Sequence, residues 1–294
     1  MNYTLRDFQA QFPNERACLD YMFNTRWPDG GECECGKKDC FYPIEKRRSY
    51  SCAWCGFQVY PCAGTIFDHS STPLTSWFFA IFLISTSRNG VAAKELERQL
   101  GVTYKTAWRM AHEIRKLMTD GSPKFTGEVE ADETYVGGKR TGKRGRGAAG
   151  KTPVVGIVQR RGGVKAKVVE KVEAQTLIPF IRESVEAGAS VSTDELGSYN
   201  HVAGFGFKHG VINHAEGKHV TGKGRIHTQT IDGFWSQLKR SIDGTHHHVS
   251  GKHLQKYVDE FAFRYSHRYA PYDLDASMFS LIAGRAGKQL CLKG

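Results

Sequence analysis

The sequence predicts an α/β chain, with a β-sheet core in its second half preceded by a small cysteine-rich module and a helical region. Three observations predict it. Six of the eight cysteines lie between Cys33 and Cys62. From Pro73 to Leu117 apolar residues recur at helical spacing, and from Gly127 short Val- and Ile-rich runs alternate with turn residues and an amphipathic helix. These shifts divide the chain into an N-terminal helix with the cysteine module (1–68), a helical region (69–122), the sheet core (123–285) and a tail (286–294).

Charge and cysteine usage bound the function. Forty-one Lys and Arg against thirty Asp and Glu give a net charge of +11, so the expected partner is a polyanion. A membrane surface would suit that charge too, but the sequence has no secretory signal, and its most apolar stretch, Trp77 to Ile84, is too short to span a bilayer. Clustered cysteines without a secretory signal read as metal ligands in a reducing cytoplasm rather than a disulfide framework.

In chain order, residues 1 to about 30 read as one helix, with Phe8, Phe12, Cys18, Met22 and Phe23 inward. Cys52-Ala-Trp-Cys-Gly56 is the knuckle of a zinc ribbon, in which two thiolates on a tight turn approach one ion and the glycine lets the backbone fold round it. The upstream pair, Cys33 and Cys35, has a one-residue spacer, so the expected Zn²⁺ ligands are Cys33, Cys35, Cys52 and Cys55, with Cys40 as a substitute. Cys18, Cys62 and Cys291 read as ordinary thiols. Pro73 to Ser87 reads as a buried helix. Val91 to Arg115 has the layout of a helix-turn-helix: a short helix stopped at Gly101, then a second capped by Thr103 with Ala107, Met110, Ala111, Ile114 and Leu117 inward. Tyr104, Lys105, Thr106 and Arg109 are its candidate DNA contacts, with His112 and Arg115 also on the polar side. The alternative is an αα-hairpin with a solvated basic face.

The core begins with Gly127 to Val136, a strand ending in the carboxylate Asp132 and broken at Gly137. Gly137 to Lys151 is glycine-rich, with six basic residues and no acid, and reads as a flexible loop bringing Lys139, Arg140, Lys143 and Arg144 to phosphates. A hairpin turns across Arg160 to Gly163, a helix runs from Ala174 to Ala187, and a strand from Ser190 to Thr193 ends at Asp194. Three strands, a helix and a fourth strand with acids at the first and fourth is the order of a ribonuclease-H-like core, which sets Asp132 beside Asp194. Gly197 to Gly224 reads as loop. In the helix Ile231 to Ser241, Asp232 and Lys239 are seven residues apart and share a face. His253 to Tyr269 is a final amphipathic helix.

The cysteine pairs, Gly64-Thr-Ile-Phe67, Thr72-Pro-Leu-Thr-Ser-Trp77, the helix-turn-helix, Ala131-Asp-Glu-Thr-Tyr-Val-Gly-Gly-Lys139, His227-Thr-Gln-Thr-Ile-Asp-Gly-Phe-Trp235 and Asp259-Glu-Phe-Ala-Phe-Arg-Tyr265 occur in this order. As a set they resemble the bacterial insertion-sequence transposases with an N-terminal zinc ribbon and an integrase-type catalytic domain, the group related to Merlin elements. The resemblance implies a DDE-type site in which Asp132 and Asp194 are the first two acids and Lys239 the basic residue two turns past the third. It also implies metal-dependent DNA cleavage and strand transfer on double-stranded DNA, at terminal repeats and target, by a homo-oligomer. Relatives typically carry Glu where Asp232 stands, and Asn where Gln229 stands. Asp is shorter by about 1.5 Å, against a positional tolerance of about 0.5 Å in a catalytic shell. Either the helix sits closer to the metals, or this copy is weakened, or another group completes the site.

Crowded carboxylates are stable chiefly around hard divalent cations, here Mg²⁺ or Mn²⁺. In the expected arrangement Asp132 bridges two ions, Asp194 and Asp232 each hold one, and Lys239 orients a phosphate. Glu133 and Glu195, as strand neighbours of these acids, are expected on the opposite face. The competing reading is a DNA-binding regulator with a degenerate core, and a third is a nuclease without joining activity.

Overall fold

Prolines, glycine stops and the change from helical to alternating periodicity punctuate the chain into the helices and strands named below. The computed structural model describes residues 3–119, 121, 123–137, 150–213, 220, 226–268, 279–280 and 282–286. They fall into two compact units, one within 1–117 together with 270–294, the other within 118–269.

In the first unit the expected single N-terminal helix is two, α1 (Leu5–Gln11) and α2 (Glu15–Arg26). Pro13 separates them, and each has its own cap: Thr4 and Asp7 form a reciprocal capping box, and the Asn14 side chain accepts from Ala17 N–H. Strands β1 (Phe41–Pro43), β2 (Tyr50–Cys52) and β3 (Gln58–Val59) form an antiparallel sheet in that order. Helix α3 (Leu74–Thr86) is apolar all round and accordingly buried, with Trp77, Phe78, Ile81 and Ile84 fully enclosed. Helices α4 (Ala93–Leu100) and α5 (Tyr104–Lys116) meet at Gly101, whose φ of 64° is the left-handed conformation that ends a helix. Phe279 lies against Phe12 and Phe78, and Arg285 donates to Leu117 O at 2.7 Å. Phe279 and the described residues 282–286 thus belong with the N-terminal half rather than with the sheet core, and Phe279, Ile282, Ala283 and Ala286 are buried.

The second unit is built on β4 (Glu128–Val136), β5 (Thr152–Gln159), β6 (Val164–Val168), β7 (Ser190–Thr193) and β8 (Lys208–Val211), in the spatial order β6-β5-β4-β7-β8. The β4–β5–β6 meander is antiparallel, while β7 and β8 run parallel to β4. This order and these directions are those of a ribonuclease-H-like sheet. Strand β8 lies in the stretch read from the sequence as loop; at four residues, with two glycine-flanked turns before it, its alternation is too short to register.

Alternation along β4 separates two cores. Val129 and Ala131 join Val155, Ile157 and Val191 against α6 (Ala174–Ser184), while Val136, Val154, Val158 and Val164 pack on the other face against α7 (Gln229–Ser241) and α8 (Gly251–Ser266). Edge strand β6 is closed by α8 side chains: Val168 N–H donates to Gln255 Oε1 at 2.7 Å, Gln255 Nε2 donates to Ala166 O, and Val164 N–H donates to Ser266 Oγ.

Candidate functional site

Two turns with glycine at left-handed φ gather four thiols. Gly36 and Gly56, both at φ 76°, close turns in which their N–H groups donate to the carbonyls of Cys33 and Cys52. The sulfurs of Cys33, Cys35, Cys52 and Cys55 all lie within 4.8 Å of one another. Cys33–Cys55 and Cys35–Cys52 stand 3.4 and 3.8 Å apart, against about 3.8 Å for the edge of a tetrahedron with 2.3 Å Zn–S bonds. The donor set and spacing fit a structural zinc ion. Cys40, the candidate substitute, is buried next to Cys52 at 3.4 Å, but its thiol donates to Lys37 O. Cys18 and Cys62 are buried, and Cys291 lies outside the described residues.

The acids are gathered by strand register. The parallel ladder pairs Glu128 with Ser190 and Glu130 with Ser192, so two residues further on Asp132 and Asp194 stand level. Asp132 is therefore in the middle of β4, not at its end as expected; what ends beside it is β7. The ligand oxygens of Asp132, Glu133 and Asp194 all lie within 4.8 Å of one another. Glu133 belongs by alternation to the opposite face, as the sequence implies. Its side chain is a methylene longer and the β4–β7 ladder has already ended, so the carboxylate reaches round to the aspartates. Tyr199, buried, donates its hydroxyl to Glu133 Oε2 at 3.3 Å. Asp194 Oδ1 accepts Leu196 N–H at 3.0 Å, which fixes the carboxylate at the head of the following loop. Glu195 is exposed.

Electrostatics marks the same place. Burial, then the Glu133 charge, push Asp132 up from the ordinary carboxylate range to about 7, with Asp194 adding to the rise and the Trp235 hydrogen bond opposing it. Tyr199 is raised well above its usual value by burial and by the same three acids. Three carboxylates gathered this closely have the donor chemistry of a site for hard divalent cations.

Helix α7 supplies one contact to it that sequence reasoning missed. Trp235 Nε1 donates to Asp132 Oδ2 at 2.9 Å. The indole has room because Gly156, the β5 partner of Asp132, has no side chain; a Cβ there would lie 2.6 Å from Trp235 Cη2. Asp232 and Lys239 lie on exposed positions of the same helix, three residues before and four after Trp235. Asp232 is not part of the group formed by Asp132, Glu133 and Asp194. Gln229, the first residue of α7, is exposed.

Among the helix-turn-helix candidates, Tyr104, Lys105 and Arg109 are exposed and Thr106 is half-buried. His112 and Arg115 are buried, correcting their expected place on the polar side: His112 packs its ring 3.9 Å from that of Trp108, and Arg115 reaches Val91 O. Thr103 Oγ1 accepts Thr106 N–H as the N-cap. The loop candidates Lys139, Arg140, Lys143 and Arg144 lie outside the described residues. Among the described residues no helix is long and apolar enough to cross a membrane.

Residues 124–266 match the family described as ISXO2-like transposase domain, and residues 13–58 the transposase zinc-ribbon domain. The chain is 25% identical over 275 residues to a protein of the transposable element ISH50 of Halobacterium salinarum, covering 86% of this chain and 91% of that one. It is 30% identical over 99 residues to a transposase-like protein of Haemophilus influenzae, covering 34% of this chain and 77% of that one. Among solved structures, a chain of a simian T-cell lymphotropic virus intasome is similar at a TM-score of 0.30 and 13% identity over 58% of this chain and 63% of that chain, a little under two thirds of it. A pre-cleavage Mos1 transpososome is similar at a TM-score of 0.28 and 13% identity over 69% and 74%.

Proposed function

The chain belongs to the ISXO2-like insertion-sequence transposases, and from that premise we propose that it cuts DNA at the terminal repeats of its element and joins the ends to target DNA. The observation that carries this reading is the convergence of Asp132, Glu133 and Asp194 where parallel strands β4 and β7 part, within the DDE-type domain of the family.

Asp132 and Asp194, with Glu133 beside them, would hold the divalent ions. A pair of Mg²⁺ or Mn²⁺ ions, when bound, supplies activation of the attacking hydroxyl and stabilisation of the leaving oxygen in an in-line displacement. The chain's own groups do the rest. Trp235 holds one oxygen of Asp132, the Leu196 amide holds one oxygen of Asp194, and Tyr199 restrains Glu133. Lys239 is assigned to a substrate phosphate. The zinc ribbon and the exposed start of α5, with Lys139, Arg140, Lys143 and Arg144, are assigned to double-stranded DNA, and a homo-oligomer assembled on paired ends completes the proposal.

The test is cleavage and strand transfer by the purified chain on a duplex bearing the element's ends, with Mg²⁺ or Mn²⁺. Asp132→Ala and Asp194→Ala should abolish both steps while leaving DNA binding in place; retained cleavage by either would sink the assignment. A second reading, a DNA-binding regulator with a degenerate core, is favoured by the place of Asp232 outside the acid group. It predicts tight binding to the same duplex with no metal-dependent nicking.

A further inference from the structure

We propose that Glu130 is a positioning residue of this site: its buried carboxylate grips the first turn of α7 and so fixes Trp235 against Asp132. The proposal rests on the reading of Asp132 as a metal ligand given above.

Glu130 is fully buried in β4, two residues before Asp132 and on the same face of the strand. A buried carboxylate without partners is strongly unfavourable, and three of the five groups that meet this one come from the start of α7. Oε2 accepts the N–H groups of Thr230 and Ile231 at 2.8 and 3.0 Å, and Oε1 accepts the Thr230 hydroxyl at 2.7 Å. These amides belong to the first turn of the helix, where N–H groups have no partner within the helix and the dipole favours an anion. Thr228, at the N-cap, makes no side-chain capping bond. Glu130 therefore caps α7 from 100 residues away. Arg160 Nε donates to Oε1 at 2.7 Å, while Arg160 Nη2 donates to His227 O at 3.1 Å, tying the residue before the cap to the same carboxylate. His227 Nδ1 lies 3.0 Å from Oε1. Tyr265 from α8 donates to Thr230 O.

This connection reaches the active site without an intervening loop. From Ile231 to Trp235 is little more than one helical turn, and the indole sits in a slot with no slack, because Gly156 touches it on one side and Asp132 takes its N–H on the other. Rotation or sliding of α7 by 1 Å would break a 2.9 Å hydrogen bond that orients one oxygen of Asp132. Residues that orient metal-binding carboxylates commonly change metal affinity when altered. The same anchoring sets where Asp232 and Lys239 stand on the helix.

The experiment uses the full zinc-loaded chain labelled with 5-fluorotryptophan, the Trp235 resonance being assigned by Trp235→Phe, and reads Mn²⁺ binding by electron paramagnetic resonance. In Glu130→Gln the Trp235 resonance should shift while those of Trp27, Trp54, Trp77 and Trp108 hold, and Mn²⁺ affinity should fall roughly 10-fold. Thr230→Val, which removes only the hydroxyl bond and keeps the amide bonds, should do the same to a lesser degree and serves if Glu130→Gln fails to fold. If the variants melt earlier but keep the Trp235 resonance and bind Mn²⁺ within about 2-fold of the parent, Glu130 is a stability residue only and the proposal is overturned. Absence of Mn²⁺ binding in the parent chain would overturn the metal-ligand reading and this proposal with it. Equal binding in parent and variants overturns this proposal alone.

Discussion

Asp132 carries its charge at a cost to the fold. Its charge is opposed by burial and by Glu133 and Asp194, against which stand the Trp235 N–H and a backbone hydrogen bond at Glu133. Asp132→Asn keeps an oxygen for that N–H and removes the repulsion. The metal-free variant should melt higher than the parent, by about 2–4 °C per kcal/mol relieved, and should show no cleavage, the trade expected where function holds like charges together. A calorimetric scan in chelator beside a cleavage assay checks both. Glu133 and Asp232 make opposite claims on the third ligand position. If Glu133 is the ligand, Glu133→Gln should weaken Mn²⁺ binding by roughly 10-fold or more, and Asp232→Asn should change it little; the reverse pattern returns the position to Asp232. Asp132 and Asp194 were legible in the sequence because each follows an apolar run. Glu133 was not, since alternation assigns it to the other face and only the end of the β4–β7 ladder lets it come round. Trp235 and Glu130 carried no local signal: the contacts of a helix-borne indole and a strand-borne carboxylate emerge only once their partners, about 100 residues distant, are known.

At the scale of elements, α8 does for the sheet edge what another strand would do. The outward backbone of β6 is met by Gln255, which offers an acceptor to Val168 and a donor to Ala166 in the manner of a neighbouring peptide unit, and by Ser266 at Val164. Natural sheets manage such edges by covering them. Gln255→Ala should cost about 1–3 kcal/mol in denaturant unfolding by leaving the Val168 N–H unpaired, with faster aggregation during refolding. The positions of β4 to β7 and of α6, α7 and α8 followed from periodicity and turn residues. The N-terminal break and β8 did not, because the apolar spacing runs through Pro13 undisturbed and β8 is only four residues long.

For the whole molecule, the two units depend on different sources of stability. The sheet unit has two apolar cores of its own, one on each face, so residues 118–269 expressed alone should fold cooperatively. In the first unit the ribbon is tied to the helices by Tyr50 stacked on Phe23 at 4.0 Å, and by Arg48 joining Glu15 to the carbonyls of Ser70 and Thr72. Small ribbons of this kind draw much of their folding energy from the ion. Elemental analysis should find one zinc per chain, and a strong chelator or Cys52→Ser should unfold the ribbon, seen as loss of its dispersed amide resonances, while the sheet unit keeps its own.

The seat of Trp235 on Gly156 also bears on how copies of such an element decay. Every missense change that one nucleotide can make in a glycine codon adds a Cβ, and at this position the new atom would fall 2.6 Å from the indole. No missense neighbour of the codon is therefore neutral: a single missense error there yields a chain that still reads through, still carries its cysteines and acids, and has lost the fit between α7 and Asp132. Among diverged copies, intact acids beside a substituted Gly156 would mark inheritance of the gene without its activity.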